Sequence, residues 1–291
     1  MSQKQSIYRS PDFEAKLMTM YDARLEQWPS PYKSTFLNTY YGKVHVIISG
    51  PKDAPPVLLL HAAGMSASSW LYNIEGLNRH YRTYAIDNIG EVGKSVLNDL
   101  NSFPNDGKAL SELYTEISDK LGVDTAYAIG ASNGGFIATN HALYAPERVK
   151  KLVLLGPMGV TPATDSTIQK IEQSASPDTQ VSPKHMLRWA LGDNPRVLEA
   201  FGEWFGLVMS GTTPRVAAPI PFTPEQLQSI RIPVLLVLGE KDNLVGDPEK
   251  VKEFVKNVPD IQIEVLNTGH LISADQPDNV NNLIYEFLEQ H

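Results

Sequence analysis

The chain has 291 residues, no cysteine and a formal net charge of −8 at pH 7. Without cysteine it cannot form a disulfide, a thiolate metal site or a cysteine nucleophile. The net negative charge argues against binding to nucleic acid or to an anionic membrane, because proteins bind both through cationic side chains. The sequence has neither a membrane-spanning apolar run nor a secretory signal pattern at its start. We therefore expect a globular cytoplasmic protein. The composition does not predict its oligomeric state.

The first predicted elements are an amphipathic helix and a hairpin, followed by strands that alternate with helices. Helical spacing covers residues 12–28, and alternating residues over 36–49 predict the antiparallel hairpin. The later strands are expected at 57–61, 82–87, 125–131, 150–156, 233–238 and 261–266. The later helices are expected at 69–79, 109–121, 133–145, 247–257 and 277–289. This order predicts an α/β fold, with a mostly parallel sheet flanked by helices.

Residues 157–222 interrupt the alternation and hold 8 of the 21 prolines. A structureless loop of that length is uncommon in a compact domain. We predict a mainly helical cap, inserted into a core formed by residues 1–156 and 223–291. Aromatic and methionine side chains in the cap and near strand ends are expected to line an apolar substrate pocket, with packing of cap against core as their alternative role. These side chains are Trp70, Met158, Trp189, Trp204, Phe205 and Met209.

The segment from Gly130 to Gly134 matches the pattern G-x-S-x-G, with Ser132 at its centre. A predicted strand enters this segment and a predicted helix leaves it. That context is typical of a sharp turn that presents a serine nucleophile at the carboxyl edge of a sheet. Small residues at the glycine positions keep neighbouring backbone away from the strained turn. The alternative is a glycine-rich turn with an incidental serine.

A serine nucleophile needs a base and an acid that orients the base. Among the seven histidines, His270 is favoured because it lies between a predicted parallel strand and the last helix. The acid is expected between serine and histidine in the chain. Asp242 is the preferred candidate, and Glu240 is its nearest competitor. Asp87 is an alternative orienter, and Asp247 is interpreted as a helix cap.

Two loops are expected to supply backbone donors to an oxyanion. The expected donors are the N–H of Asn133, directly after the serine, and that of Ala63, in a small-residue loop after a buried strand. Residues 90–95, GEVGKS, end like a phosphate-binding loop, but Asn88 stands where that pattern needs its first glycine. The sequence has no metal-ligand spacing and no dinucleotide fingerprint, so we expect no cofactor and no metal.

Taken together, these motifs resemble the α/β-hydrolase superfamily over nearly the whole chain. The segments that carry the resemblance are His61-Ala62-Ala63-Gly64, Asp87-Asn88-Ile89-Gly90, the Ser132 turn, Gly239-Glu240-Lys241-Asp242 and Gly269-His270. The sequence is more closely similar to the Bacillus carboxylesterase NP group, in stretches such as YRTYAIDNIGEVGKS and TGHLISADQPDNVN. This resemblance implies a carboxylic ester hydrolase with a capped apolar pocket. Two residues depart from the family pattern: Ala62 replaces a glycine, and Asn133 replaces a larger apolar residue.

The expected reaction is hydrolysis of a small apolar ester, or a related acyl substrate, through a Ser–His–Asp triad and an acyl-enzyme. The same triad also serves hydrolysis of amides, lactones and carbon–carbon bonds, acyl transfer and perhydrolysis. A non-catalytic binding protein on the same fold is a further alternative. Failure of a fluorophosphonate probe to label Ser132 would favour that alternative.

Overall fold

The computed structural model describes residues 6–160 and 188–290. The described strands are β1 (Tyr32–Asn38), β2 (Gly42–Ser49), β3 (Pro56–Leu60), β4 (Arg82–Ile86), β5 (Val96–Leu97), β6 (Ala126–Ala131), β7 (Val149–Leu155), β8 (Val234–Gly239) and β9 (Ile261–Leu266). The described α-helices are α1 (Pro11–Glu26), α2 (Leu71–Leu77), α3 (Gly107–Leu121), α4 (Asn133–Tyr144), α5 (Pro195–Gly211), α6 (Pro224–Gln228), α7 (Pro248–Val255), α8 (Ile272–Asp275) and α9 (Pro277–Glu289). Short 3₁₀ turns lie at Ala67–Trp70, Leu100–Ser102 and Pro146–Arg148.

The strands form one sheet in the order β1-β2-β4-β3-β6-β7-β8-β9, with β5 paired to β2. Neighbouring strands from β4 to β9 are parallel, whereas β1, β2 and β5 pair antiparallel. The carboxyl ends of the parallel strands share one edge, and the loops after β3, β6, β8 and β9 meet there. The predicted α/β fold with a mostly parallel sheet is confirmed.

Helices on both faces of the sheet explain why the central strands are continuous apolar runs. Every residue of β8 is buried. In β3, Leu59 packs into a cluster with α1, α2, α5 and α9, whereas its neighbour Leu58 packs into a second cluster with α3, α4 and α7. Successive side chains of a strand point to opposite faces, so the two clusters are the two sides of one sheet.

The predicted elements occur, with differences at their ends. The hairpin begins at Tyr32 rather than at residue 36. Its first strand is mostly exposed and lacks the clear alternation that marks a half-buried strand. The helix expected over 69–79 divides into a 3₁₀ turn, Ala67–Trp70, and the shorter helix α2.

The division into core and cap stays a prediction, since residues 161–187 of the cap lie outside the described residues. The described helix α5 buries Phe201 and Trp204 and packs on α1. An Arg24 guanidinium nitrogen of α1 donates to the carbonyl oxygen of Ala200 at 2.9 Å. The described part of this segment is therefore attached to the N-terminal helix. None of the helices in the described ranges is long and apolar enough to cross a membrane.

Candidate active site

Ser132 occupies the sharp turn between β6 and α4. Its φ is 51°, and it is the one described residue other than glycine with a positive φ. Such a conformation is strained and persists where the surrounding packing enforces it. A Cβ on Gly130 would lie 2.3 Å from the carbonyl oxygen of Gly134, and a Cβ on Gly134 would lie 2.1 Å from the carbonyl oxygen of Leu60. Close backbone packing therefore requires both glycines of the G-x-S-x-G pattern.

The structure brings Ser132, His270 and Asp242 together in one hydrogen-bonded relay. Oγ of Ser132 lies 2.7 Å from Nε2 of His270, and Nδ1 of His270 lies 2.8 Å from Oδ2 of Asp242. The three residues are only 4–7% exposed. An ionised carboxylate only accepts hydrogen bonds, so Nδ1 of a neutral His270 carries the proton. Nε2 then faces the serine hydroxyl as an acceptor.

The turn after β8 keeps Asp242 ionised. Burial acts to raise the pKa of Asp242, but the charge and hydrogen bond of His270 and two backbone donors outweigh it, so the pKa is lowered. Those donors are the N–H groups of Leu244 and Val245, at 2.8 and 3.0 Å from Oδ1. The competitor Glu240 is exposed. The relay thus contains the aspartate, and the glutamate points to solvent.

Asp87, the alternative orienter, does not meet His270. Its Oδ2 lies 2.9 Å from Nδ1 of His45 instead, because β4 lies beside β2 and far from β8 in the sheet order. Asp247 caps α7 as expected, with its side chain accepting from the N–H of Glu249. Within the described ranges, no group of three or more histidine, cysteine, aspartate or glutamate side chains is placed to hold a metal ion.

The loop after β3 is fixed by His61, a fully buried side chain whose pKa burial lowers. Its neutral ring donates from Nδ1 to the carbonyl oxygen of Ala62 and accepts at Nε2 from the N–H of Asn88, both at 2.9 Å. The N–H of Ala63 has no acceptor among the described residues. The N–H of Asn133, at the first position of α4, has no intrahelical partner. Within the described part of the chain, both expected oxyanion donors are therefore free of backbone partners.

A buried carboxyl group, which sequence reasoning missed, contacts the same loop. Glu91 accepts from the N–H of Gly64 at 2.9 Å. Burial raises its pKa to about 8, although hydrogen bonds with Gly64, Asn88 and Asn133 act in the opposite direction. Within the described residues, Oδ1 of Asn133 is buried without a hydrogen-bond partner. The segment that resembles a phosphate-binding loop thus places an acid against Gly64, in the loop after β3, and against Asn133, which directly follows the nucleophile.

A small pocket lies beside His270. Its walls are mainly apolar and include Met65, Trp70, Phe201, Leu271 and Ile272. Its position next to the base and its apolar walls make it a candidate site for part of a substrate.

The other predicted pocket residues are placed differently. Trp204 is fully buried and donates from Nε1 to the carbonyl oxygen of Gly64 at 2.8 Å. The Phe205 ring also lies near Gly64, at 3.8 Å from where a Cβ would be. Both residues therefore pack α5 onto the loop after β3, in agreement with their alternative packing role.

Met158, Trp189 and Met209 lie in three different surroundings. Met158 is partly buried, and its N–H donates to the carbonyl oxygen of Ser132 at 3.0 Å. Trp189 is partly buried against the cluster that contains α5. Met209 is 48% exposed on α5. The shared role of these side chains in a substrate pocket stays a prediction.

Comparisons with known proteins agree with this geometry. Residues 55–183 match the alpha/beta hydrolase fold family. Carboxylesterase YbfK of Bacillus subtilis (strain 168) is 33% identical over 276 residues, which cover 92% of each chain. A second protein of that organism, described as the uncharacterized carboxylesterase nap, is 33% identical over 97% of this chain and 95% of its own length. The crystal structure of naproxen esterase (carboxylesterase NP) from Bacillus subtilis matches with a TM-score of 0.87 and 31% identity, over 97% of this chain and 100% of that one.

Proposed function

We propose, on the premise that this chain belongs to the α/β-hydrolase family, that it cleaves carboxylic esters with Ser132 as its nucleophile. Like the carboxylesterases to which it is similar, the chain is an ester-hydrolysing serine hydrolase. The observation that carries the assignment of the nucleophile is the relay from Ser132 through His270 to Asp242, with distances of 2.7 and 2.8 Å.

In the first step, Oγ of Ser132 attacks the ester carbonyl carbon while Nε2 of His270 takes the hydroxyl proton. The Nδ1–H of His270 stays bonded to Asp242, whose negative charge stabilises the imidazolium that forms. The N–H groups of Ala63 and Asn133 donate to the developing oxyanion. The N-terminus of α4 adds a favourable dipole at the same place.

Collapse of the tetrahedral intermediate breaks the bond to the alkoxy oxygen. The leaving group takes the proton from His270 and departs as an alcohol, which leaves an acyl group on Ser132. Water then attacks the acyl-enzyme with His270 again acting as the base. A carboxylic acid is released, and the serine hydroxyl is restored.

Small apolar carboxylic esters are the proposed substrate class, and the apolar walls of the pocket beside His270 support it. One structural relative is a naproxen esterase, so an ester of naproxen belongs in the substrate panel. Anilides and lactones belong in it as well, because the same relay serves their hydrolysis. The cytoplasmic location and the lack of a nucleic-acid partner stay predictions from composition.

The test is hydrolysis of p-nitrophenyl butyrate by the full chain and two variants. We expect Ser132→Ala to lower kcat by roughly 10⁴-fold or more, because the nucleophile is removed. Ser229→Ala is the matched control, since Ser229 is exposed and its hydroxyl donates to the carbonyl oxygen of Gln226 at 2.7 Å. Undiminished turnover by Ser132→Ala would refute the assignment of the nucleophile.

A further inference from the structure

A second serine, histidine and aspartate lie in hydrogen-bonding order elsewhere in the chain. Oγ of Ser34 lies 2.7 Å from Nε2 of His45, and Nδ1 of His45 lies 2.9 Å from Oδ2 of Asp87. Ser34 is on the edge strand β1, His45 is on its neighbour β2, and Asp87 directly follows β4. Two adjacent strands and the residue that follows a third therefore contribute one member each.

Asp87 is held as an anion at the base of this second relay. Burial acts to raise the pKa of Asp87, but the hydrogen bond and charge of His45 and further polar neighbours outweigh it, so the pKa is lowered. Three more donors reach its carboxylate oxygens: the N–H groups of Ala67 (2.8 Å) and Lys94 (2.9 Å) and the hydroxyl of Tyr21 (3.0 Å). These hydrogen bonds stabilise the ionised form of the Asp87 carboxylate.

The ionised Asp87 fixes how His45 presents its ring. A carboxylate only accepts, so Nδ1 of the histidine donates to it. Nε2 of the neutral ring is then an acceptor, and the Ser34 hydroxyl donates to it. A hydroxyl paired with a base that a third group orients is the arrangement that activates a serine nucleophile.

The base of this relay is buried, whereas the hydroxyl-bearing residue is exposed. The side chain of His45 has no exposed surface, and Ser34 is an exposed residue of β1. Tyr32 and Phe36 lie two positions before and after it, on the same face of the strand, and are 41% and 44% exposed. The Phe36 ring packs 4.9 Å from the imidazole of His45. Two exposed aromatic rings therefore offer an incoming aryl ester an apolar contact beside the hydroxyl.

We propose that Ser34 is a second nucleophile of this chain, which accepts an acyl group from an activated aryl ester. Oγ of Ser34 attacks the carbonyl carbon, and its proton passes to Nε2 of His45. The bond between the carbonyl carbon and the aryl oxygen then breaks, and the phenol departs with that proton. The product is an ester of Ser34 that retains the acyl group.

The acyl group stays on Ser34 because its surroundings differ from those of Ser132. Ser34 lies in the middle of a regular strand, without the helix N-terminus that follows Ser132. Loss of one oxyanion donor lowers such rates by roughly 10²–10³-fold. The proposed reaction is therefore a single acylation for each chain, with slow release.

The test uses the full chain with Ser132→Ala, so that the proposed active site does not consume the reagent. The protein is treated with excess p-nitrophenyl acetate, quenched in acid and mapped by peptide mass. We expect acetylation of Ser34 to be roughly 100-fold faster than that of Ser102 and Ser229 in the same digest. These two exposed serines donate to backbone carbonyl oxygens at 2.9 and 2.7 Å rather than to a histidine.

Two further variants in the same Ser132→Ala background distinguish activation of Ser34 by the relay from a reactivity that depends only on its exposure. Ser34→Ala removes the labelled hydroxyl, and circular dichroism checks that this variant is folded although Nε2 of His45 loses its donor. Asp87→Asn keeps the side-chain shape but loses the charge, and we expect it to slow labelling of Ser34 by roughly 100-fold. The proposal is overturned if Ser34 is not acetylated, if Ser102 and Ser229 react equally fast, or if folded Asp87→Asn reacts at the unchanged rate. Mapping identifies Ser34 whether or not Ser132 proves to be the esterase nucleophile.

Discussion

The relays at Ser132 and Ser34 have nearly the same internal distances, but the backbone around the two serines differs. Both serine oxygens are 2.7 Å from a histidine Nε2, and the two aspartates are 2.8 and 2.9 Å from the other ring nitrogen. Ser132 lies in a strained turn at the start of a helix, beside a loop in which the N–H of Ala63 has no acceptor among the described residues. Ser34 lies on an edge strand. The relay activates a hydroxyl, whereas the surrounding backbone decides whether the oxyanion is stabilised.

The relays also differ in burial. All three members at Ser132 are buried, whereas at Ser34 the serine is exposed above a buried base. Electrostatic interactions are stronger where water is excluded, so fixed donors stabilise charge better at the buried relay. We therefore expect repeated turnover at Ser132 and a single acylation at Ser34.

After removal of the nucleophile itself, the largest expected effect comes from Asp242, the proposed orienter of the base in the buried relay. In Asp242→Asn the amide NH₂ group donates to Nδ1 of His270, so the ring proton moves to Nε2. Nε2 can then no longer accept the proton of Ser132. We expect kcat for p-nitrophenyl butyrate to fall about 10⁴-fold. Glu240→Gln is the matched control, because Glu240 is exposed on the same turn. An equal loss in both variants would contradict the proposed relay.

The next effect concerns the backbone that distinguishes the two serines. A Cβ on Gly134 would lie 2.1 Å from the carbonyl oxygen of Leu60, so Gly134→Ala should lower the free energy of unfolding by about 3 kcal/mol or more. Gly206→Ala is the control, because a Cβ on this α5 residue meets nothing within 4 Å. Its helical position predicts a gain of about 0.5–1 kcal/mol. Urea denaturation measures both, and a Gly134→Ala variant as stable as the parent would disprove the packing argument.

A smaller effect comes from Glu91, behind the loop after β3. In the folded chain the pKa of Glu91 is raised to about 8, whereas the ordinary pKa of a glutamate is 4.5. The unfolded chain therefore binds fewer protons between these values, and stability falls as pH rises through that window. We expect Glu91→Gln to gain stability relative to the parent by a few kcal/mol between pH 5 and pH 8. A difference between the two proteins that does not change with pH would show that Glu91 is ionised throughout.

Topology explains why the sequence predicted Ser132, His270 and Asp242. Each follows a strand of the parallel sheet, and parallel strands bring their carboxyl ends to one edge. The pairing of His45 with Asp87 was not predictable in the same way. It depends on which antiparallel strand lies beside β4, and strand periodicity indicates the face of a side chain but not its cross-strand partner.

Glu91 and the first part of β1, residues 32–35, were missed because local patterns carry no signal for them. A glutamate next to glycine is normally solvent-exposed, and its burial here depends on its contact with Gly64, which is distant in sequence. The edge strand β1 is mostly exposed, so its sequence lacks the apolar periodicity from which a strand is recognised. Both features arise from tertiary contacts.

The contact between Gly134 and the carbonyl oxygen of Leu60 sets the spacing between the nucleophile turn and the loop after β3 with main-chain atoms alone. The close approach of these two segments therefore depends on main-chain packing and not on the side chains of the pocket beside His270. We expect substitutions at the proposed pocket walls, such as Trp70 and Phe201, to leave this main-chain spacing unchanged. The proposed pocket walls and the nucleophile turn are thus held by different contacts, which makes those walls the positions to vary when substrate range is tested.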